Sequence, residues 1–323
     1  MTMNRKIIYT LGVIVLLLIG VIGIIHRYTP EASKPVIRLV ENPWIGGSIN
    51  AYVAKIILHE KMGYPVEVVK VDENVQWALL AKGELDASLE VWPSGHIEDI
   101  KKYIVEQKTV QNMGLLGVVG KIGWYIPTYM VEKYPSLATW VGFKDPNLVA
   151  LFKTAATGDK GQFLTGDPTW VQYDREIIKN LGLKLEVIQL GSEEALLHAL
   201  DAAYKRRKPI LFYFWTPHSA QIKYRLTQVE LPKCQCRKSF FDKVNGGNID
   251  CEYPPDVLCK IASSGLKQKA PDVYYFLKSF SYTTEDQVSI ITMVTLEGKS
   301  VEEAARIWVE KNADKWKYWI PIK

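Results

Sequence analysis

This 323-residue chain carries none of the common catalytic fingerprints. There is no G-x-S-x-G elbow, no Walker A phosphate loop and no G-x-G-x-x-G dinucleotide turn, so three large enzyme classes lose their sequence support. His59-Glu60 begins like a zinc-protease helix but lacks the second histidine, which leaves it a helix surface pair. The net charge of +5 is mild, and lysine and arginine alternate with acids throughout. Short basic runs such as Lys205–Lys208 read as solvated helix ends, and no basic stripe for nucleic acid is present. No repeat of fixed period occurs. Cysteine is scarce and confined: Cys234, Cys236, Cys251 and Cys259 lie in one short segment, at spacings that fit no common zinc signature. Catalytic, metal and cofactor sites are therefore not expected. An extracellular hydrolase whose residues meet only in space stays as a rival class.

What is present begins at the amino end. Arg5 and Lys6 precede an apolar run from Ile7 to Ile25, long enough to cross a bilayer as a helix. The run ends in Ile24-Ile25-His26-Arg27, without the small residues of a cleavage site. Residues 1–28 are read as a signal-anchor, or else a cleaved signal, with the remainder outside the cytoplasm. Residues 29–35 form a short tether with two prolines. An oxidising compartment suits disulfides. Four cysteines allow three pairings. Cys234 with Cys236 is geometrically awkward, so each is expected to bridge to Cys251 or Cys259.

From Val36 onward apolar runs alternate with helical periods. Strands are expected at Val36–Glu41, Val66–Val71 and Leu85–Val91, with helices between them, which is a βαβαβ unit on a mostly parallel sheet. Val110–Ile126 reads as extended. A second α/β unit follows, with a helix expected from Asp167-Pro168 to Leu181, a strand at Lys184–Gln189, a helix near Glu193–Arg206 and a strand at Ile210–Phe214. After a strand at Leu226–Leu231 and a cysteine-bearing loop, the remainder reads helical. The expected architecture is two α/β lobes, 36–126 with 218–323 and 127–217, with a ligand cleft between them.

Three stretches stand out against this background: LEVWPSGH, GDPTWVQYD and PILFYFWTPH. Each sets a tryptophan within two residues of a proline, at a junction between elements where ligands of α/β sheets sit. Trp92, Trp170 and Trp215 can face a cleft as well as a core. A quaternary ammonium cannot donate a hydrogen bond, and aromatic faces hold it at roughly 0.5–2 kcal/mol each. Three faces reach about 6 kcal/mol, short of the ~8 kcal/mol of micromolar binding, so a second anchor is needed. His96, or free N–H groups around Trp170-Val171-Gln172, can supply it to a carboxylate.

Together LEVWPSGH, KDPNLVALF with LTGDPTW, and PILFYFWTPH resemble the glycine betaine binding proteins of osmoprotectant ABC importers, from Val36 to about Trp319. The resemblance implies a two-lobed periplasmic-binding-protein fold, type II-like. It also implies a ligand-binding, non-catalytic role, in which glycine betaine or a related quaternary ammonium passes to an ABC permease and its ATPase. It implies an ammonium box of Trp92, Trp170 and Trp215, a main-chain carbonyl near Pro127 facing the methyl groups, and carboxylate contacts from His96 and the amides of Val171 and Gln172. Some relatives carry a disulfide around the second tryptophan, where this chain has Gly166 and Gln172. Choline or carnitine specificity and a ligand-sensing ectodomain are the alternatives.

Overall fold

The computed structural model describes residues 33–322. The expected signal-anchor and the first four residues of the tether lie outside the described residues. Among the described residues no helix is long and apolar enough to cross a membrane.

The first βαβαβ unit forms as expected. Strand β1 (Ile37–Glu41), helix α1 (Ile45–Glu60), β2 (Val66–Lys70), α2 (Gln76–Lys82) and β3 (Ala87–Val91) follow one another. β1 pairs parallel with β2 over Ile37↔Val66 to Glu41↔Lys70 and with β3 at Leu39↔Ala87. All five residues of β3 are buried, as an interior strand covered on both faces requires; it pairs parallel with β1 and antiparallel with β9.

Strand β4 (Val110–Pro127) then runs for 18 residues. Its first part pairs antiparallel with β9 (Pro255–Ser263), from Val110↔Ser263 to Lys121↔Pro255. Its last part pairs with β7 (Phe212–Thr216) and β8 (Leu226–Val229). Gly114 and Gly117, with φ of 93° and 99°, sit where its register shifts and the strand bends. The sheet order is β2-β1-β3-β9-β4-β7-β5-β6, with β8 beside β4. β5 (Gly161–Thr165), β6 (Leu185–Gln189) and β7 form the second parallel set, bridged by α3 (Asp174–Asn180) and α4 (Glu193–Lys205).

Three expectations need correction. β5 was not anticipated, because GQFLT is short and opens on glycine. β9 was not anticipated either: PDVLCKIAS was read as part of a cysteine-bearing loop, yet it forms a strand, buried from Leu258 to Ser263, that closes the gap between β3 and β4. The helix expected from Asp167 starts only at Asp174. Asp167 instead accepts the N–H (2.8 Å) and hydroxyl (2.6 Å) of Thr169, a local side-chain turn that competes with helix formation.

The apolar interior divides in two. One core gathers Ile37, Leu39, Ile57, Leu116, Leu258 and Phe276, with a smaller cluster around Trp77 and Val91. It is covered by α6 (Pro271–Ser279), α7 (Thr284–Thr295) and α8 (Val301–Lys311), counting the intervening α5 (Arg237–Asn245) in chain order. The other core gathers Trp124, Phe143, Phe163, Leu196, Phe212 and Phe214. Tyr224, Val229, Phe240 and Tyr253 also pack there, so residues 220–253 join the second core before β9 returns to the first. Trp92 packs against both.

Candidate functional site

The carboxyl ends of β1, β3, β5 and β7 meet at one small cavity. Trp44 precedes α1, Trp92 follows β3, Trp170 lies on the loop after β5, and Tyr213 and Trp215 share a face of β7. With Ile122, Glu73, Gly95 and Val171 they wall a free space of about 40 Å³. Trp170 meets Trp215 edge-on at 5.2 Å between centroids and tilts against Tyr213 at 5.9 Å. The arrangement is an aromatic cage, the surface that recognises a methylated cation.

The cage is held from behind. Glu90, buried in β3, accepts the indole N–H groups of Trp44 (2.7 Å) and Trp92 (3.0 Å) on one oxygen. Its other oxygen accepts Asn50 (2.7 Å) and Gln287 (2.6 Å). Burial pushes the Glu90 carboxyl up from its ordinary range, and these four N–H donors pull it back down. Two glycines leave room for the rings. A Cβ on Gly120 would lie 2.2 Å from Trp92, and one on Gly166 2.5 Å from Trp170. Trp170 donates its own indole N–H to the Pro43 carbonyl at 3.2 Å, linking the β5 loop to the segment before α1.

His96 does not line the cavity. Its ring is 1% exposed, with Nε2 at 2.9 Å from Glu73 and Nδ1 at 3.0 Å from Asp99. Burial alone would lower its pKa, but hydrogen bonds to Asp99 and Glu73 outweigh burial and hold it up at about 9. Glu73 does line the cavity, and its second oxygen accepts the backbone N–H of Val171. The Glu73 carbonyl is fixed by Gln76 Nε2 at 2.9 Å.

The chain as a whole is similar to a known group of proteins. Residues 35–311 fit the family described as OpuAC, the substrate-binding domain of the ABC-type glycine betaine transport system. The chain belongs to this family. A trimethylamine N-oxide-binding protein of Pelagibacter ubique is 25% identical over 97% of this chain and 98% of its own length. The glycine betaine/carnitine transport binding protein GbuC of Listeria monocytogenes is 31% identical over 41% of this chain and 38% of its own. Among solved structures, lactococcal OpuAC complexed with glycine betaine superposes with a TM-score of 0.68 at 22% identity, covering 89% of this chain and all of that one. A choline binding protein in complex with choline gives 0.68 at 22% identity, covering 89% and 93%. The two-lobed α/β fold of the family is thus the fold of this chain, and the protein is a substrate-binding protein of the ABC-type glycine betaine transport family.

Against the family pattern, the structure brings Trp92, Trp170, Trp215 and Val171 to one cavity wall. It does not bring His96 there, because the histidine is engaged by Glu73 and Asp99 one layer back. Gln172 is also off the wall, its side-chain oxygen accepting the Thr165 hydroxyl at 2.8 Å. Pro127 ends β4 opposite Leu226 and lines no part of the cavity, where Ile122 stands instead. Trp44, Tyr213, Glu73 and Glu90 were missed. For Trp44 the signal was available: Pro43-Trp44 repeats the proline-beside-tryptophan pattern.

The cysteines meet expectation in one bridge and depart from it in the other. Cys234 bridges to Cys251, while Cys236 is exposed and Cys259 is buried, both unpaired. Cys259 faces the small core around Trp77 from β9, and burial pushes its thiol up to about 11. A strand position inside the sheet thus removes Cys259 from the pairing anticipated for it.

A larger cleft of about 820 Å³ adjoins Trp44 and is lined by Glu41, Glu193, His198, Asp201, His218 and Lys223, among others. Within it the buried His218 lies 2.9 Å from Glu193, whose other oxygen accepts the Ile45 N–H at the start of α1, 2.8 Å away.

Proposed function

We propose that this chain captures a small methylated ammonium compound in the cage of Trp44, Trp92, Trp170, Trp215 and Tyr213 and delivers it to an ABC permease driven by its ATPase. The cage carries the reading. Five faces at roughly 0.5–2 kcal/mol each amount to about 2.5–10 kcal/mol, whose upper part reaches the ~8 kcal/mol of micromolar binding. The relatives' own ligands, glycine betaine, carnitine, choline and trimethylamine N-oxide, are of this class.

In this reading the lobes are 36–121 with 254–322, and 122–253. They part to admit ligand and close around it, the cage being walled by residues of both. Trp170 to Pro43, Val171 to Glu73, Asn74 to the Thr169 carbonyl at 3.2 Å, and Ile45 to Glu193 are the bonds that form on closure. A ligand touching both walls shifts the population to the closed form, which docks on the permease. Residues 1–28 hold the protein at the membrane outside the cytoplasm.

The test is calorimetric titration of the purified full chain with glycine betaine, choline, trimethylamine N-oxide and a neutral sugar. Micromolar heat with at least one methylated compound and none with the sugar is expected. Silence towards all of them in folded protein would sink the reading.

A further inference from the structure

In the family resemblance, His96 and the Val171 amide grip the carboxylate of a zwitterionic ligand. Here both groups already have one. Glu73 sets one oxygen 2.9 Å from His96 Nε2 and the other on the Val171 N–H, and its side chain forms part of the cavity wall. We propose that Glu73 is a built-in counter-anion filling the anion seat, so that the ligand of this cage is a methylated nitrogen compound with no carboxylate of its own. The inference rests on the cage reading above and narrows its ligand class.

Three observations carry it. First, Glu73 is fixed in place: it is 6% exposed, its own carbonyl is held by Gln76, and its partner His96 is braced from the far side by Asp99 at 3.0 Å. Second, no lysine or arginine lines the cavity, so a ligand carboxylate would find no free cation there among the described residues. Third, the formal charges around the seat already lean negative. His96, if protonated, faces both Glu73 and Asp99, and Glu90 lies behind Trp44 and Trp92. A second carboxylate at the seat would have to break the bonds of Glu73 or stand beside it, and like charges side by side are costly. A cation without a carboxylate instead gains the attraction of Glu73.

Two kinds of ligand share this chemistry. A quaternary ammonium alcohol donates its hydroxyl to Glu73, and an amine N-oxide shares a proton with it. The experiment is a calorimetric comparison of choline, tetramethylammonium, trimethylamine N-oxide and glycine betaine on the full chain, at pH 6 and pH 8, repeated on Glu73→Gln. At least one carboxylate-free ligand is expected to bind about tenfold or more tightly than glycine betaine, the effect of a like-charge contact. In Glu73→Gln that preference is expected to shrink by a similar factor, because the neutral amide no longer repels a carboxylate. N-oxide affinity that rises at pH 6 identifies the shared-proton ligand, and choline preference at both pH values identifies the alcohol. Glycine betaine binding as tightly as every carboxylate-free ligand in the unmodified chain would overturn the inference while leaving the cage reading intact. Silence towards all four compounds would remove the cage reading and this inference with it. If Glu73→Gln does not fold, the four-ligand comparison on the unmodified chain still decides.

Discussion

Gly120 and Trp92 share the space of one side chain. A Cβ on Gly120 would lie 2.2 Å from Trp92 Cζ3, and that ring borders both cores. Gly120→Ala is therefore expected to displace the indole from the cage wall while β4 keeps its pairing. Ligand affinity should fall about tenfold or more, since a displaced ring loses its cation–π face and crowds its neighbours. Calorimetry beside a thermal melt checks this: unchanged affinity would show that Trp92 does not form the wall.

Glu90 positions two cage rings through a single oxygen. Glu90→Ala leaves the indole N–H groups of Trp44 and Trp92, and the amides of Asn50 and Gln287, without their acceptor. Each buried donor so orphaned costs about 1–3 kcal/mol. Stability is expected to drop by several kcal/mol in a urea titration, and ligand affinity with it. Glu90→Gln keeps the shape but only one acceptor oxygen and should recover only part of both, whereas a simple loss of volume would be restored in full.

Two buried groups each take stability from the fold as pH rises, in adjoining windows. Asp174, whose Oδ1 accepts the Trp124 indole N–H at 2.6 Å, is pushed up to about 7 by burial. A raised carboxyl favours the fold while protonated, so its contribution is full below about pH 4 and is lost as pH rises through about 7. His96 is held up at about 9 by Asp99 and Glu73, which outweigh its burial. Its contribution, about 3 kcal/mol, is full below about pH 6.5 and is lost as pH rises through about 9. Denaturation midpoints of Asp174→Asn should lack the decline between pH 4 and 7, and those of His96→Gln the decline between 6.5 and 9. A variant that keeps its decline would show that the group titrates alike in folded and unfolded chains.

The Cys234–Cys251 bridge closes a loop with a sequence separation of 17. Removing such a constraint from the unfolded chain costs about 3 kcal/mol of stability. Reductant, or Cys234→Ser, is expected to lower the melting temperature together with that amount, whereas Cys236→Ser should be nearly silent. Thiol labelling of native protein should modify Cys236 readily and Cys259 only after unfolding, since Cys259 is buried in β9. Equal labelling of both in the native state would contradict the strand placement.

The sequence carried the cage only partly. Trp92, Trp170 and Trp215 could be read because proline beside a bulky ring marks a junction, and Pro43-Trp44 carries the same mark. The first βαβαβ unit was legible from runs such as VEVVK, whose period agrees with their environment. Glu73 was not legible: in VDENVQ it looks like any solvated acid, and only the approach of His96 and Val171 gives it a role. Asp167-Pro168 signals a helix start by residue type, yet Thr169 competes for the cap. β9 was not legible because PDVLCKIAS lacks a period of two: it is buried throughout from Leu258 to Ser263, including Lys260.

Lys121 is paired on both edges of β4, with Pro255 of β9 on one side and Thr216 of β7 on the other. The lobes are thus joined by continuous hydrogen-bonded ribbon and not by a slack linker. Such a connection behaves as a leaf spring: it permits bending and twisting about one short line and resists sliding. In the proposed reading, opening then follows one coordinate with an elastic restoring force, and a ligand supplies the difference between two curvatures of the same ribbon.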